Sequence, residues 1–139
     1  MSTGGNAGLF GALGSGGAIS ALGLINPTVS HTSGATVANS GALVGRNGGV
    51  ISAAYVSGGS VTSASENGLA GGLVGVNTGT IRASYSTAAV SGTHSTENTD
   101  FAGLVANNAG GSIIASYTTG AVTGPQATRA RCLVVTSDT

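Results

Sequence analysis

Apolar and polar positions alternate along this chain in short bursts. In TIRASYS, residues 80–86, Ile81, Ala83 and Tyr85 fall at every second position, with Arg82, Ser84 and Ser86 between them. Period two marks a strand with one buried face. Ile51, Ala53 and Tyr55 repeat the pattern, with Ser52 and Ala54 opposite. Strands are therefore expected at Ile51–Tyr55, Ile81–Tyr85 and Ile113–Tyr117, with the Ile, Ala and Tyr of each sharing the inner face. Glycine and asparagine bracket these runs (NGG, NTG, NAGG), where the chain must turn sharply. No helix competes, because interior Gly, Ser, Thr and Val weaken helix propensity at nearly every turn.

The bursts recur. GALVGRNGGVISAAYVSGGSVT from Gly41, GGLVGVNTGTIRASYSTAAVSG from Gly71 and AGLVANNAGGSIIASYTTGAVTG from Ala102 align with one another. Leu43, Leu73 and Leu104 correspond, as do Ile51, Ile81 and Ile113, then Tyr55, Tyr85 and Tyr117, then Val61, Val90 and Val122, at intervals near 30–32 residues. A divergent first copy precedes them. Leu9-Phe10-Gly11 stands where Leu43-Val44-Gly45 stands later, and Ile19 and Val29 precede Ile51 and Val61 by 32 residues each. Residues 8–20, GLFGALGSGGAIS, look like the apolar start of a membrane-inserting fusion peptide, but their register makes them one turn of the repeat. No membrane insertion is expected.

One such unit cannot bury its own apolar face. Stacking does so, each strand pairing with its equivalent in the next coil about 4.8 Å away. The expected fold is all-β, a parallel β-solenoid (β-helix) of about four coils with copies near 8–30, 41–62, 71–92 and 102–124. Equivalent residues then form internal ladders: Leu43, Leu73 and Leu104; Ile19, Ile51, Ile81 and Ile113; Val29, Val61, Val90 and Val122. Asn47, Asn77 and either Asn107 or Asn108 are placed to form an amide ladder at a corner. Residues 1–124 make up the repeat region, and 125–139 fall outside it as a C-terminal tail or cap.

Composition narrows the function. The chain of 139 residues is 40% apolar and 6% charged, with 26 glycines, against about 25% charged residues in ordinary soluble proteins. Disorder goes with low hydrophobicity and high net charge, and this chain has neither. Glycine does not recur at every third position, which excludes collagen. Arg46, Arg82, Arg129 and Arg131 balance Glu66, Glu97, Asp100 and Asp138. With no basic stripe to neutralise phosphates, no nucleic-acid partner is expected. The single cysteine, Cys132, permits no internal disulfide and no cysteine metal cluster. Residues 1–45 lack Lys, Arg, Asp and Glu, so no charged start of a secretory signal is visible. The expectation is an internal piece of a longer chain, whose remainder stacks on the open coil ends.

The copies resemble the GLUG motif, a short repeat with a glycine–leucine–any–glycine start. The matching residues are GLFG at 8–11, ALVG at 42–45, GLVG at 72–75 and GLVA at 103–106, and the later half matches best in SIIASYTTGAVTG at 112–124. The resemblance spans about residues 8–124. It implies a bacterial surface or secreted protein, an adhesin of the filamentous-haemagglutinin type, and it implies no catalytic residues. Two departures stand out. Ala106 replaces the usual glycine and is expected to loosen that corner. After Gly124 the pattern stops, and PQATRARCLVVTSDT is either a cap over the last coil or a foreign end, the latter favoured by its abrupt change of composition.

Candidate chemistry is sparse. His94 lies in SGTHSTENTD with Glu97 and Asp100, but it reads as part of a polar connection between coils, and His31 as part of another. Transition-metal sites gather three or four fixed ligands, so no metal site is expected. Cys132 has neighbouring Arg129 and Arg131 but no histidine placed to activate it. GSGG at 14–17 lacks the Lys-Ser/Thr of a phosphate loop. The tyrosines share the phase of Ile and Ala, which assigns them to a core or corner ladder rather than to an outward platform for sugars. The reading is therefore a non-enzymatic structural and adhesive module without catalytic residues or cofactor. Loops such as 62–70 and 92–101 would contact a protein or glycan on a host or neighbouring cell. A carbohydrate-binding or carbohydrate-active β-helix is the alternative, although Glu66, Glu97 and Asp100 all read as loop residues. An ice-binding solenoid is a third class, with Ser57, Thr87 and Thr119 as an uneven array.

Overall fold

A computed structural model describes residues 5–31, 38–93, 99–124 and 130–131. The first coil carries β1 (Gly5–Ala7), β2 (Phe10–Leu13), β3 (Ala18–Ser20), β4 (Gly23–Ile25) and β5 (Thr28–His31). The second carries β6 (Ala38–Gly41), β7 (Val44–Asn47), β8 (Val50–Ser52), β9 (Tyr55–Ser57) and β10 (Ser60–Ser63). The third carries β11 (Gly68–Gly71), β12 (Val74–Asn77), β13 (Thr80–Arg82), β14 (Tyr85–Ser86) and β15 (Ala89–Gly92). The fourth carries β16 (Asp100–Ala102), β17 (Val105–Asn108), β18 (Ser112–Ile114), β19 (Tyr117–Thr118) and β20 (Val122–Thr123), and β21 (Ala130–Arg131) follows.

Strands at the same place in successive coils pair side by side. The first sheet runs β1-β6-β11-β16-β21, and four further sheets are each four strands deep, from β2 to β17, β3 to β18, β4 to β19 and β5 to β20. Every pairing is parallel. The chain is thus an all-β parallel solenoid whose layers are joined by three steps from first to last. No described helix is long and apolar enough to cross a membrane.

The predicted ladders line the interior. Ile19, Ile51, Ile81 and Ile113 are in register, as are Val29, Val61, Val90 and Val122. Leu43, Leu73 and Leu104 are fully buried, and so are Val44 and Val74 of the strand that follows. At about 25 cal/mol per Å² of apolar surface removed from water, these columns supply the main cohesion between layers. The amide ladder runs through Asn47, Asn77 and Asn108. Asn47 Nδ2 donates to Asn77 Oδ1 at 2.8 Å, and Asn77 Nδ2 donates to Asn108 Oδ1 at 2.9 Å. Asn107 sits one residue earlier and is exposed. Ala106 does not disturb the register, since Val105 and Asn108 still pair with Val74 and Asn77.

Two features correct the period-two reading. The runs from Ile to Tyr are not single strands. Each breaks at an alanine in the left-handed region: Ala53 (φ 51°), Ala83 (φ 48°) and Ala115 (φ 48°), with Ala21 (φ 53°) in the first coil. The break shifts the alternation by one residue. Ile81 points in and Arg82 out, but Ala83 is exposed, Ser84 buried and Tyr85 partly exposed. The tyrosines therefore stand on the outer surface, and Ala54, Ser84 and Ser116 turn inward instead. The bend explains the serines, because it frees backbone groups that need partners. Ser84 Oγ donates to the Arg82 carbonyl at 2.8 Å and accepts from Ala54 N at 3.2 Å. Ser116 Oγ donates to the Ile114 carbonyl at 2.9 Å and accepts from Ser84 N at 3.2 Å.

Differences in coil length are absorbed at corners. Between the second and third coils the register falls from 30 residues at Tyr55↔Tyr85 to 29 at Ser60↔Ala89. The extra residue sits at Gly58–Gly59, both with positive φ, a conformation open to glycine at no steric cost. The fourth coil gains a residue between Asn108 and Ser112, where Gly110 has φ 83°.

Candidate functional site

Every coil closes at the same edge. The connections β5 to β6, β10 to β11, β15 to β16 and β20 to β21 all leave the fifth sheet and enter the first. They differ in length and content, whereas the other corners are nearly constant. Loops on a rigid scaffold are where contacts concentrate, so this edge is the candidate site. Its borders differ from the expected 62–70 and 92–101. Thr62 and Ser63 belong to β10, Gly68–Gly71 form β11, and Asp100 opens β16 rather than lying in a loop. The stretches between strands are 64–67 and 93–99.

The two sheets meet at this edge by setting glycine against a side chain. The Gly5 backbone faces the His31 imidazole, with 2.8 Å from an ideal Cβ position to Cε1. Gly68 packs against Ser63 Oγ, and Gly92 lies against the Phe101 ring, leaving a Cβ no room at either glycine. Phe101 is consequently 5% exposed. Ser63 and Ser65 bury hydroxyls here that have no hydrogen-bond partner.

The histidine and carboxylate side chains among the described residues lie along this edge, whereas Arg46 and Arg82 stand on the second and third sheets. His31 ends β5 and is half-buried, Glu66 is exposed between β10 and β11, and Asp100 is half-buried in a column with Asn6, Asn39 and Leu69. His94 and Glu97 belong to the connection entering β16 and lie outside the described residues, as do Arg129, Cys132 and Asp138. Arg131 is in β21, which adds a fifth strand to the first sheet. Among the described residues, no three His, Cys, Asp or Glu side chains are grouped to hold a metal.

Two outer surfaces were not foreseen. Tyr55, Tyr85 and Tyr117 stack face to face, with ring centroids 5.3 and 5.1 Å apart and planes 10° and 8° from parallel. Gly23 replaces tyrosine in the first coil and makes room for the Tyr55 ring. Because the ring faces cover one another, the ladder presents edges and hydroxyls to solvent. On the fifth sheet, Ser30, Thr62, Ser91 and Thr123 form a single outward column of hydroxyls, with Thr62 Oγ1 and Ser91 Oγ 3.1 Å apart. The αL break at alanine, which alternation alone does not reveal, put the tyrosines outside.

Fold and edge together define a parallel β-solenoid with a variable loop edge. No family model, curated protein or solved structure matched the chain.

Proposed function

We propose that the chain is a non-enzymatic structural and adhesive module, a stiff stack that holds the connections between its fifth and first sheets in file for contact with another surface. The observation that carries this reading is the contrast between constant interior and variable edge. Ladder residues repeat from coil to coil, while connections 32–37, 64–67 and 93–99 share neither length nor sequence. Five short sheets sharing one core resist bending, so the edge holds its spacing. The GLUG-like copies support the same reading and add an expectation of export to a bacterial surface, where a protein or glycan of a host or neighbouring cell would be the partner.

The test is adhesion of beads coated with the protein to cells and to immobilised glycans. Exchanging 93–99 for the sequence of 64–67 should reduce adhesion while leaving thermal stability nearly unchanged. Adhesion that survives exchange of every connection would overturn the reading, as would turnover of a polysaccharide by the purified protein.

Carbohydrate binding has one observation in its favour, the outward tyrosine ladder. Tyr117, at 49% exposure, offers a ring face with no tyrosine beyond it. Oligosaccharide titration that perturbs Tyr117 ahead of Tyr85 would support this alternative.

A further inference from the structure

We infer that the tyrosine ladder is a site of oxidative coupling, at which a haem peroxidase supplied with hydrogen peroxide joins the rings of neighbouring coils by a carbon–carbon bond and so braces the stack covalently.

The chain has three tyrosines, and all three fall in one column. Tyr55 pairs with Tyr85 and Tyr85 with Tyr117, directly in register. The ring centroids lie 5.3 and 5.1 Å apart, with planes 10° and 8° from parallel. The backbone beneath each ring is tied to the preceding coil. Tyr55 N donates to the Leu22 carbonyl at 3.0 Å, Tyr85 N to the Ala54 carbonyl at 3.1 Å and Tyr117 N to the Ser84 carbonyl at 3.1 Å. Two phenols that would otherwise meet by diffusion are thus held in standing contact, the condition under which proximity accelerates a two-body step most.

Access and reactivity favour the same column. Tyr117 is 49% exposed, and Tyr55 and Tyr85 are partly exposed. An oxidant therefore reaches the phenols, and the rings have room to pivot about their Cα–Cβ bonds. The chain has no tryptophan, and Met1 and Cys132 carry its only sulfur atoms. Gly23 bounds the ladder. An added Cβ there would run into the Tyr55 ring, so the first coil lays bare backbone against Tyr55 and contributes no phenol. Two couplings are open, Tyr55 with Tyr85 and Tyr85 with Tyr117.

The step balances with one peroxide. Each phenol gives the peroxidase one electron and one proton. The resulting phenoxyl radicals spread their unpaired electrons onto the ring carbons beside the C–O bond, so one Cε of each ring bonds to one Cε of the other. The hydrogens on those two carbons then move to the oxygens and restore both phenols. In sum two C–H bonds break, one C–C bond forms, the protein loses two hydrogen atoms, and hydrogen peroxide is reduced to two waters. The new bond bridges residues 30 or 32 apart in sequence, and like a disulfide it restricts the unfolded chain.

The positions of arginine make the products distinguishable. The chain has no lysine, so trypsin cuts only after Arg46, Arg82, Arg129 and Arg131. Coupling of Tyr55 to Tyr85 joins fragments 47–82 and 83–129, whereas coupling of Tyr85 to Tyr117 leaves fragment 83–129 lighter by two hydrogens. The folded 139-residue protein, with Cys132 alkylated, is treated with peroxidase and hydrogen peroxide, denatured, digested and analysed by mass spectrometry. Both products are expected, with blue dityrosine fluorescence and a yield independent of protein concentration. Tyr85→Phe keeps the ring but removes the shared phenol, and it should lower coupling within the chain at least about tenfold. Tyr117→Phe should retain the joined fragments and lose the lighter one. Circular dichroism reports folding of both variants. The coupled protein should need more urea to unfold than the uncoupled one. Absence of both products overturns the inference. So does a yield that rises in proportion to protein concentration, a joined product that survives Tyr85→Phe, or an unchanged denaturation midpoint in the coupled chain.

Discussion

The amide ladder should cost more to break in the middle than at its end, although the residues involved are identical. Asn77 is 0% exposed. It accepts from Asn47 Nδ2 at 2.8 Å and donates to Asn108 Oδ1 at 2.9 Å, with longer contacts to the carbonyls of Gly79 at 3.3 Å and Ser112 at 3.4 Å. Asn77→Ala removes both short bonds, each worth about 1 kcal/mol net, and strips a partner from the buried Asn47 amide, at a further cost of roughly 1–3 kcal/mol. Longer contacts of this kind contribute little. The expected loss is about 3–5 kcal/mol. Asn108→Ala removes one short bond and takes the acceptor from the Asn77 amide, but Asn108 itself is exposed, so its removal admits water to that amide and the expected loss is smaller, about 1–2 kcal/mol. Asn77→Asp keeps the acceptor for Asn47 but buries a charge that cannot donate to Asn108, and it should cost at least as much as alanine. Urea denaturation followed by far-ultraviolet circular dichroism measures the three, with equal slopes required before midpoints are compared. Equal losses for Asn77→Ala and Asn108→Ala, or a loss below about 1 kcal/mol for Asn77→Ala, would refute the account of the ladder as a buried, mutually satisfied column.

Three further outcomes test the facing and the corners. Ile81 is 0% exposed and Arg82 is exposed, so Ile81→Asp should cost several kcal/mol while Arg82→Asp stays within about 0.5 kcal/mol; equal melting temperatures would erase the assignment. Ala83 at φ 48° is strained by roughly 1 kcal/mol, which offsets the extra unfolded-state freedom of glycine. Ala83→Gly should therefore leave the denaturation midpoint nearly unchanged, while Ala70→Gly, in the buried strand β11, should lose about 1 kcal/mol; the reverse order would contradict the left-handed corner. An added Cβ at Gly72 would run into the Gly103 carbonyl and Ser86 Oγ, so Gly72→Ala should cost about 1–3 kcal/mol in thermal melts, and a neutral result would show that this corner yields.

What the sequence determined was the repeat and its consequence. Leu, Ile and Val recurring at near-constant intervals cannot be buried within one coil, so stacking in register follows from burial alone, and Asn47 and Asn77 follow into their ladder because register carries every residue of a coil with it. The tertiary structure decided what local alternation cannot express. A period-two reading assumes a straight strand, yet the closed coil must bend after each Ile. The bend falls on an alanine in the left-handed region and reverses the alternation, which sends Tyr55, Tyr85 and Tyr117 outward and Ser84 and Ser116 inward to satisfy the bent backbone. Asn108 rather than Asn107 continues the ladder because Gly110 takes up the extra residue beyond it. The candidate edge was legible only in part: the connections stood out by their variability, but that Asp100 pairs in a sheet while Glu66 stays exposed depends on where the first sheet begins, and inter-strand hydrogen bonding sets that boundary.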